Sequence, residues 1–248
     1  MTMKLILLGT GGYHPSNRRH TACILLPECG VMLDAGTAMY RAGPYLETSE
    51  LDIFLTHAHL DHVAGLTFLF SLLRVHPLKR VTVHGLAEKL AAIDAHLFAR
   101  DVFPKKPPYE PRPLAANVSL PSGGCLTHFP LVHQGGSIGY RLDWPGRSMA
   151  YVTDTTASVD ADYIEKIRGV DLLLHECYLP DDKAEWAVKT GHSCLTPVVE
   201  VACRANVGRL VLVHINPLST GSKPVDLDLA RSVFPRTEIG EDLMELEF

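Results

Sequence analysis

One short segment of the sequence concentrates side chains that bind metal ions. Positions 56 to 62 read Thr-His-Ala-His-Leu-Asp-His and follow directly on an apolar run. Imidazole nitrogens and carboxylate oxygens are the ligands of hydrolytic zinc sites, and this many in one segment suits more than one ion. Side chains alternate in direction along an extended chain, so we expect His57 and His59 to face one ion. Asp61 and His62 follow where a turning chain can aim them at a second ion. The alternative is a histidine-rich surface loop that binds no metal.

Three further candidates stand where predicted strands end. His133, Asp154 and His214 each close an apolar run, and each is followed by a turn signal such as glycine or Asn-Pro. Taken alone, each of them could be a buried residue with an ordinary hydrogen-bond partner. Four strand ends that all carry His or Asp are harder to explain by coincidence. The set as a whole therefore predicts a metal site.

The order of elements predicts an α/β protein. Strand and helix patterns alternate with no low-complexity linker, which predicts one domain over residues 1–248. The strand-rich halves indicate two sheets packed together with helices outside. The longest amphipathic pattern predicts a helix over Leu86–Arg100, and residues 104–113, with five prolines, are expected to form an extended loop. The glycines of Gly9-Thr10-Gly11-Gly12 lack the spacing of a dinucleotide fingerprint, which favours a tight turn near the metals.

Composition narrows the class further. Hydrophobic residues make up 46% of the chain and charged residues 21%, as in ordinary globular proteins. The net charge is −5 and there is no basic arm, a balance that neither demands nor excludes nucleic acid. No run approaches the ~20 apolar residues of a membrane span, and the N-terminus does not resemble a signal peptide. Six cysteines without a C-x-x-C pair indicate reduced thiols. We expect a cytoplasmic protein that does not engage a membrane.

Taken in order along the chain, these residues resemble the metallo-β-lactamase superfamily. The segment from His57 to His62 is similar to its H-x-H-x-D-H signature, and the glycine turn, Asp34 and the three strand-end residues recur in the family's order. Within the superfamily the chain most resembles the ribonuclease Z-like branch. The motifs that carry this closer resemblance are Leu33-Asp34-Ala35-Gly36, Tyr151-Val152-Thr153-Asp154-Thr155, Leu174-His175-Glu176-Cys177 and Gly191-His192-Ser193. The resemblance implies a four-layered αβ/βα sandwich of two mixed β-sheets flanked by helices.

The resemblance also implies a role for each matching residue. It implies two zinc ions per chain, with Mn²⁺ or Fe²⁺ as alternatives, held by seven side chains. The ligands would be His57, His59 and His133 for one ion, Asp61, His62 and His214 for the other, and Asp154 bridging both. A hydroxide between the ions would be the nucleophile. Asp61 could also orient that hydroxide or accept its proton.

A second group of residues discriminates between branches of the superfamily. In the ribonuclease Z-like branch a Glu orients a His that protonates the leaving alkoxide, and Glu176 and His192 match these positions. A histidine oriented in this way is a sound general acid. The alternatives are a surface acid for Glu176 and a histidine at a helix entry for His192. Asp34 is expected to hold a ligand histidine by its second ring nitrogen.

The chain differs from the ribonuclease Z-like branch in the segments that bind transfer RNA in that branch. In transfer-RNA-processing members an arm is inserted between the residues equivalent to His133 and Asp154, which are only 21 positions apart here. The final ligand precedes Ile215-Asn216-Pro217 and not the Phe-Ser-x-Arg-Tyr of those enzymes. The sequence thus predicts a dinuclear zinc phosphodiesterase acting on a small or cyclic phosphodiester or a short RNA 3′ end. The alternatives are a superfamily hydrolase of a lactone, thioester or sulfate ester, and a non-catalytic metal-binding scaffold. Dimers are common in this branch, which leaves a homodimer open.

Overall fold

A computed structural model describes residues 2–219 and 224–248, and in it the chain forms two compact units. The first unit runs to Ala115 and also includes Glu241–Glu247, near the C-terminus. The second covers Ala116–Gly240 and Phe248. Each unit is built on its own mixed seven-stranded sheet. A single domain over residues 1–248 stays a prediction.

The sheet of the first unit has an antiparallel half and a parallel half. Its strands are β1 (Lys4–Gly9), β2 (Cys23–Leu26), β3 (Val31–Leu33), β4 (Glu50–Phe54), β5 (Arg80–Gly85), β6 (Glu110–Pro113) and β14 (Met244–Glu247). They lie in the order β14-β1-β2-β3-β4-β5-β6, antiparallel from β14 to β3 and parallel from β3 to β6. Both faces of the central strands are buried, which explains why their sequences are continuous apolar runs without alternation.

Short helices and 3-10 turns pack on this sheet. The helices are α1 (Leu60–Val63), α2 (Leu69–Val75) and α3 (Ala87–Ala92), and 3-10 turns cover Thr37–Arg41 and Ala64–Phe68. One apolar core joins strand residues such as Ile53 and Val83 with Leu66, Leu69 and Leu90 from these elements. The connection that follows β4 therefore leads directly from the core into the histidine-rich motif.

The second unit repeats the pattern with its own strands. They are β7 (Asn117–Leu120), β8 (Gly124–Leu131), β9 (Ser137–Trp144), β10 (Arg147–Val152), β11 (Leu172–Glu176), β12 (Arg209–Val213) and β13 (Thr237–Ile239). They lie in chain order, antiparallel from β7 to β10 and parallel from β10 to β13. Because β10, β11 and β12 are parallel neighbours, the residues that follow them meet at one edge of the sheet.

Four helices lie in the described part of the second unit. They are α4 (Tyr163–Lys166), α5 (Ala184–Thr190), α6 (Leu195–Arg204) and α7 (Leu227–Val233). The buried side of α6, with Val198 and Val201, packs in one core with Leu173 of β11 and Leu212 of β12. This core fixes the strands whose ends carry the candidate residues.

The predicted α/β class with two mixed sheets and accompanying helices is confirmed. Two local predictions differ from the structure. The helix predicted over Leu86–Arg100 is α only to Ala92 and then widens into a π-helical turn over Ile93–Leu97. The last four residues of the proline-rich stretch, 110–113, pair with β5 as an edge strand, a position where proline is tolerated because the missing N–H faces outward. No helix in the described part of the chain is long and apolar enough to cross a membrane.

We expect Leu173→Ala to destabilise the second unit. Leu173 is fully buried in its core, and deleting core methyl groups costs about 2–5 kcal/mol. Denaturant unfolding followed by circular dichroism measures the loss. Val188→Ala on α5, where the side chain is 69% exposed, is the control and should stay within about 0.5 kcal/mol of the parent. Equal losses in the two variants would contradict this description of the core.

Candidate active site

Three of the predicted polar residues sit in left-handed backbone directly after or near a strand end. Asp34 follows β3 with φ 57°, Asp154 lies two residues after β10 with φ 46°, and His214 follows β12 with φ 53°. Non-glycine residues rarely adopt this region, and each such residue costs on the order of 1–3 kcal/mol. The strained turn changes the direction of the chain at the sheet edge and leaves the polar side chain there.

The first unit positions the histidine-rich motif between β4 and α1. His57 lies three residues after β4 and is buried, whereas Asp61 and His62 belong to the first turn of α1. The rings of His57 and His59 are 4.5 Å apart, and their ligand nitrogens lie within 4.8 Å of each other. Asp61 Oδ2 is 3.5 Å from His62 Nε2. The two pairs of side chains predicted from the sequence are thus both formed within this unit.

A buried carboxylate fixes two of these histidines. The Nδ1 of His62 donates to Asp34 Oδ2 at 2.7 Å, and the backbone N–H of Thr56 donates to Oδ1 at 2.8 Å. The Thr56 hydroxyl also donates to Asp34, at 2.9–3.0 Å, so its oxygen is left to accept from His57 Nδ1 at 3.0 Å. With Nδ1 carrying the hydrogen, Nε2 holds the lone pair that can bind a metal. Asp34 therefore contacts one histidine directly, as expected, and reaches a second through Thr56.

The glycine turn after β1 contacts Asp61, the acidic residue of the histidine-rich motif. The backbone N–H of Tyr13 donates to Asp61 Oδ2 at 2.7 Å. This hydrogen bond fixes one oxygen of a carboxylate that is 11% exposed. The turn thus positions a residue of the predicted metal-binding segment in its own unit. This contact agrees with the prediction that the glycines form a tight turn and not a dinucleotide-binding fingerprint.

In the second unit, a carboxylate lies between two imidazoles. Asp154 Oδ2 is 3.5 Å from His133 Nε2, and Asp154 Oδ1 is 3.3 Å from His214 Nε2. All three side chains are at most 3% exposed. His133 Nδ1 donates to the backbone oxygen of Gly191 at 2.8 Å, which again leaves Nε2 with the lone pair. Each oxygen of Asp154 faces a different histidine, as a carboxylate shared by two ions would.

The predicted Glu–His pair forms beside this group. His192 Nδ1 donates to Glu176 Oε1 at 3.1 Å. Glu176 is fully buried at the end of β11 and also accepts from the backbone N–H groups of Thr155 at 2.7 Å and Ser193 at 3.2 Å. The ring of His192 stacks on that of His214 at 5.4 Å, and ligand atoms of Glu176, His192 and His214 lie within 4.8 Å of one another. Neither alternative, a surface acid or a histidine that only begins a helix, describes these contacts.

Several contributors were not predicted from the sequence. Tyr178 stacks on His192 with ring centroids 4.4 Å apart, and its ring is 5.5 Å from that of His214. Thr56 and the carbonyl of Gly191 were also missed. The only sequence signal for Tyr178 is its position, two residues after Glu176 in the segment that resembles the ribonuclease Z-like motif. Backbone carbonyls leave no sequence signal at all.

Other titratable residues nearby have structural surroundings. His175 contacts the Tyr163 hydroxyl at 2.9 Å and the backbone oxygen of Glu176 at 2.8 Å, and burial lowers its pKa. Burial raises the pKa of the Cys177 thiol and raises that of Cys194 to about 11. His84 is buried against Phe54 and contacts Asp52 at 2.9 Å. Packing and local hydrogen bonds therefore account for these residues.

The family match agrees with this arrangement. Residues 30–215, more than half of the chain, match the beta-lactamase superfamily domain, and the chain belongs to that family. The ribonuclease Z of Prochlorococcus marinus (strain NATL1A) is 37% identical over 107 residues, which are 42% of this chain and only 33% of that protein's length. The ribonuclease Z of Synechococcus sp. (strain CC9902) is 27% identical over 317 positions that cover 99% of this chain and 98% of the relative. Since this chain has 248 residues, the second relative contains segments without a counterpart here.

Solved structures share the fold. The metallo-beta-lactamase fold protein YhfI from Bacillus subtilis superposes with a TM-score of 0.82 at 19% identity and covers 100% of both chains. A diphosphatase from the PhnP family gives a TM-score of 0.75 at 22% identity, over 100% of this chain and 98% of that one. The predicted fold and the resemblance to the ribonuclease Z-like branch are confirmed. Relatives that the chain matches over nearly its whole length, among them proteins of Synechococcus and Archaeoglobus fulgidus, are named ribonuclease Z.

We expect Asp34→Asn to weaken zinc binding by about 10–100-fold, because an amide has a single acceptor oxygen, whereas Asp34 accepts from Thr56 at Oδ1 and from His62 at Oδ2. Asparagine tolerates the left-handed backbone of this position, so the fold should survive. A chelating dye that competes for zinc measures the affinity. Asp52→Asn is the matched control, since Asp52 is a second carboxylate that contacts a histidine in the same unit. An equal loss in both variants would show that Asp34 has no special role.

Gly191→Ala should weaken zinc binding more than Gly169→Ala. Both glycines have positive φ, 72° and 68°, so both alanine variants should lose about 1–2 kcal/mol of stability. A methyl group at Gly191 would lie 2.8 Å from His133 Nδ1, whereas nothing lies within 4 Å of one at Gly169. Thermal unfolding and zinc titration together separate backbone strain from displacement of His133. Unchanged zinc affinity in Gly191→Ala would argue against His133 as a ligand.

Proposed function

We propose that this chain is a dinuclear zinc phosphodiesterase of the ribonuclease Z-like type, acting on a small or cyclic phosphodiester or a short RNA 3′ end. The observation that carries the proposal is the hydrogen bond between His192 and the buried carboxylate of Glu176, with the His192 ring stacked on that of His214. A histidine oriented by a carboxylate is suited to protonating an alkoxide, the leaving group of a phosphodiester. The ribonuclease Z relatives that match the chain over nearly its whole length support the same chemistry.

The donor groups fit zinc. They are imidazole nitrogens and carboxylate oxygens, with no thiolate among them, as in hydrolytic zinc sites. His57, His62 and His133 each direct Nδ1 to an acceptor of their own unit and so retain Nε2 as the ligand atom. The ligand sets follow the family order given above: His57, His59 and His133 for one ion, Asp61, His62 and His214 for the other, and Asp154 for both. Such ions supply charge neutralisation at the phosphoryl oxygens and lower the pKa of a water molecule.

The protein's own groups would then handle the protons. Asp61, held at Oδ2 by the Tyr13 N–H, would orient the attacking water or accept its proton. Glu176 accepts from Nδ1 of His192 and so keeps the Nε2 hydrogen directed away from itself. That hydrogen would pass to the leaving oxygen as the P–O bond breaks, and the carboxylate would stabilise the charged imidazole that donates it.

The short segment between His133 and Asp154 supports a small substrate. Residues between His133 and Asp154, all of them described by the structure, form the hairpin of β9 and β10. The Synechococcus relative has additional segments that this chain lacks. Small or cyclic phosphodiesters and short RNA ends are therefore favoured over intact transfer RNA.

The general-acid role predicts a dependence on the leaving group. With a dinucleotide, whose leaving alkoxide needs a proton, His192→Ala should lower kcat by about 10²–10⁴-fold. With bis-p-nitrophenyl phosphate, whose nitrophenolate leaves without a proton, the same variant should lose much less. Glu176→Gln should show the same pattern with smaller losses. Initial rates in Zn²⁺ or Mn²⁺, with the metal content measured for each variant, test this.

His128→Ala is the control, because His128 is a half-buried histidine on β8 outside the site. It should keep full activity on both substrates. Equal losses of His192→Ala on both substrates would contradict its role as a proton donor. Hydrolysis of a lactone or thioester by the parent protein, with no phosphodiester cleaved, would favour the alternative hydrolase and overturn the proposal.

A further inference from the structure

A cavity of about 340 Å³ lies in the second unit, near the strand ends that carry Glu176 and His214. Its wall includes Cys177 and Tyr178, which directly follow Glu176, and Ile215 and Asn216, which directly follow His214. The same two strand ends that carry the proton-donating pair and a candidate ligand therefore also build the cavity. Its volume is at the lower end of the range of about 300–1,000 Å³ for small-molecule sites.

Tyr178 connects the cavity with the candidate acid. Its ring stacks on His192 at 4.4 Å, and the same side chain lines the cavity. A group bound in the cavity would thus be one side chain away from the imidazole that protonates the leaving oxygen. A cavity ligand would then lie on the His192 side of the scissile bond, which is the side of the leaving group in the proposed reaction.

The lining suits a neutral organic group better than a phosphate. Most of it is apolar, with Leu179, Leu195, Ile215, Val225 and Leu229, and no lysine or arginine is among the described lining residues. The two carboxylates in the wall are already in use as helix caps. Asp181 accepts from Thr196, and Asp226 accepts from the N–H of Leu229. Among the residues that the structure describes, an anion placed there would meet these carboxylates and no compensating cation.

The polar groups that remain fit the edge of a base. Asn216 accepts from the N–H of Leu218 through Oδ1, and its amide nitrogen offers further donor hydrogens. Asparagine pairs readily with base edges, and aromatic rings such as that of Tyr178 stack on bases. A flat, uncharged, hydrogen-bonding group with an apolar face matches this combination of residues.

We infer that the cavity binds the nucleoside of the leaving group, an inference that rests on the proposed phosphodiester chemistry. The cavity holds the base, and the sugar oxygen released from phosphorus lies toward His192. Substrate selection then depends on Tyr178, Asn216 and the apolar wall, in addition to the metal-binding side chains.

Binding of free nucleosides to the zinc-loaded chain tests the inference without turnover. Adenosine and uridine are titrated by calorimetry into the parent protein, Leu229→Trp and Val233→Trp. Leu229 lines the cavity from α7 and is 42% exposed, so a larger side chain there can extend into the cavity. Val233 lies one turn further along the same helix, is 46% exposed and is not part of the lining. Leu229→Trp should weaken nucleoside binding by at least about 10-fold, and Val233→Trp should leave it unchanged.

The outcomes separate this inference from the proposed function. Phosphodiester cleavage by the parent protein, with no nucleoside binding or with equal binding in Leu229→Trp, would overturn the cavity assignment alone. Nucleoside binding that only Leu229→Trp abolishes, in a protein that cleaves no phosphodiester, would overturn the proposed function and the leaving-group role. Melting temperatures of both tryptophan variants close to that of the parent establish that the changes report on the cavity.

Discussion

The arrangement of the first unit depends on the buried carboxylate of Asp34. This side chain only accepts hydrogen bonds, so it decides where the hydrogens of Thr56 and His62 lie and, through the Thr56 hydroxyl, that of His57. A buried donor left without its acceptor costs about 1–3 kcal/mol, and Asp34 serves three donors at once. The cost of burying a carboxylate is thus offset by contacts that also fix two imidazole tautomers. One residue outside the motif therefore sets the chemistry of the motif.

The backbone imposes a second constraint at the same places. Asp34, Asp154 and His214 each occupy left-handed backbone beside a strand end, and Asp and His tolerate this conformation better than branched residues do. The packed strands hold these turns in place, since the last strand residues before them, Leu33, Val152 and Val213, are buried. Core packing thus stabilises the strained turns that present the polar side chains. Backbone strain and the candidate site residues occur at the same positions because the chain turns sharply there as it leaves the sheet.

Sequence patterns predicted the parts of this protein that rest on local or strongly periodic signals. The histidine-rich segment and the polar residues at the strand ends follow from short-range order in the chain. The π-helical turn over Ile93–Leu97 and the pairing of residues 110–113 with β5 do not, because tertiary contacts override a helical pattern in one case and a proline-rich composition in the other. Contacts such as the Gly191 carbonyl on His133, separated by 58 positions, have no local signature. The Asp34 contact was predictable only because the resemblance to a family supplied a long-range relationship.

Glu176 has in the second unit the role that Asp34 has in the first. Its buried carboxylate connects three segments of the chain. Its carboxylate accepts from the N–H of Thr155, which directly follows Asp154, from the N–H of Ser193 and from His192 Nδ1. The loop after β10 and the loop before α6 are therefore held by one side chain of the strand β11 that lies between β10 and β12. Hydrogen bonds to a charged group are worth about 1.5–3 kcal/mol each, so three of them offset part of the cost of burying this carboxylate. The same carboxylate thus positions the loop that carries Asp154, a candidate metal ligand, and orients His192, the candidate proton donor. A shift of one of these residues within this unit would therefore be coupled to a shift of the other.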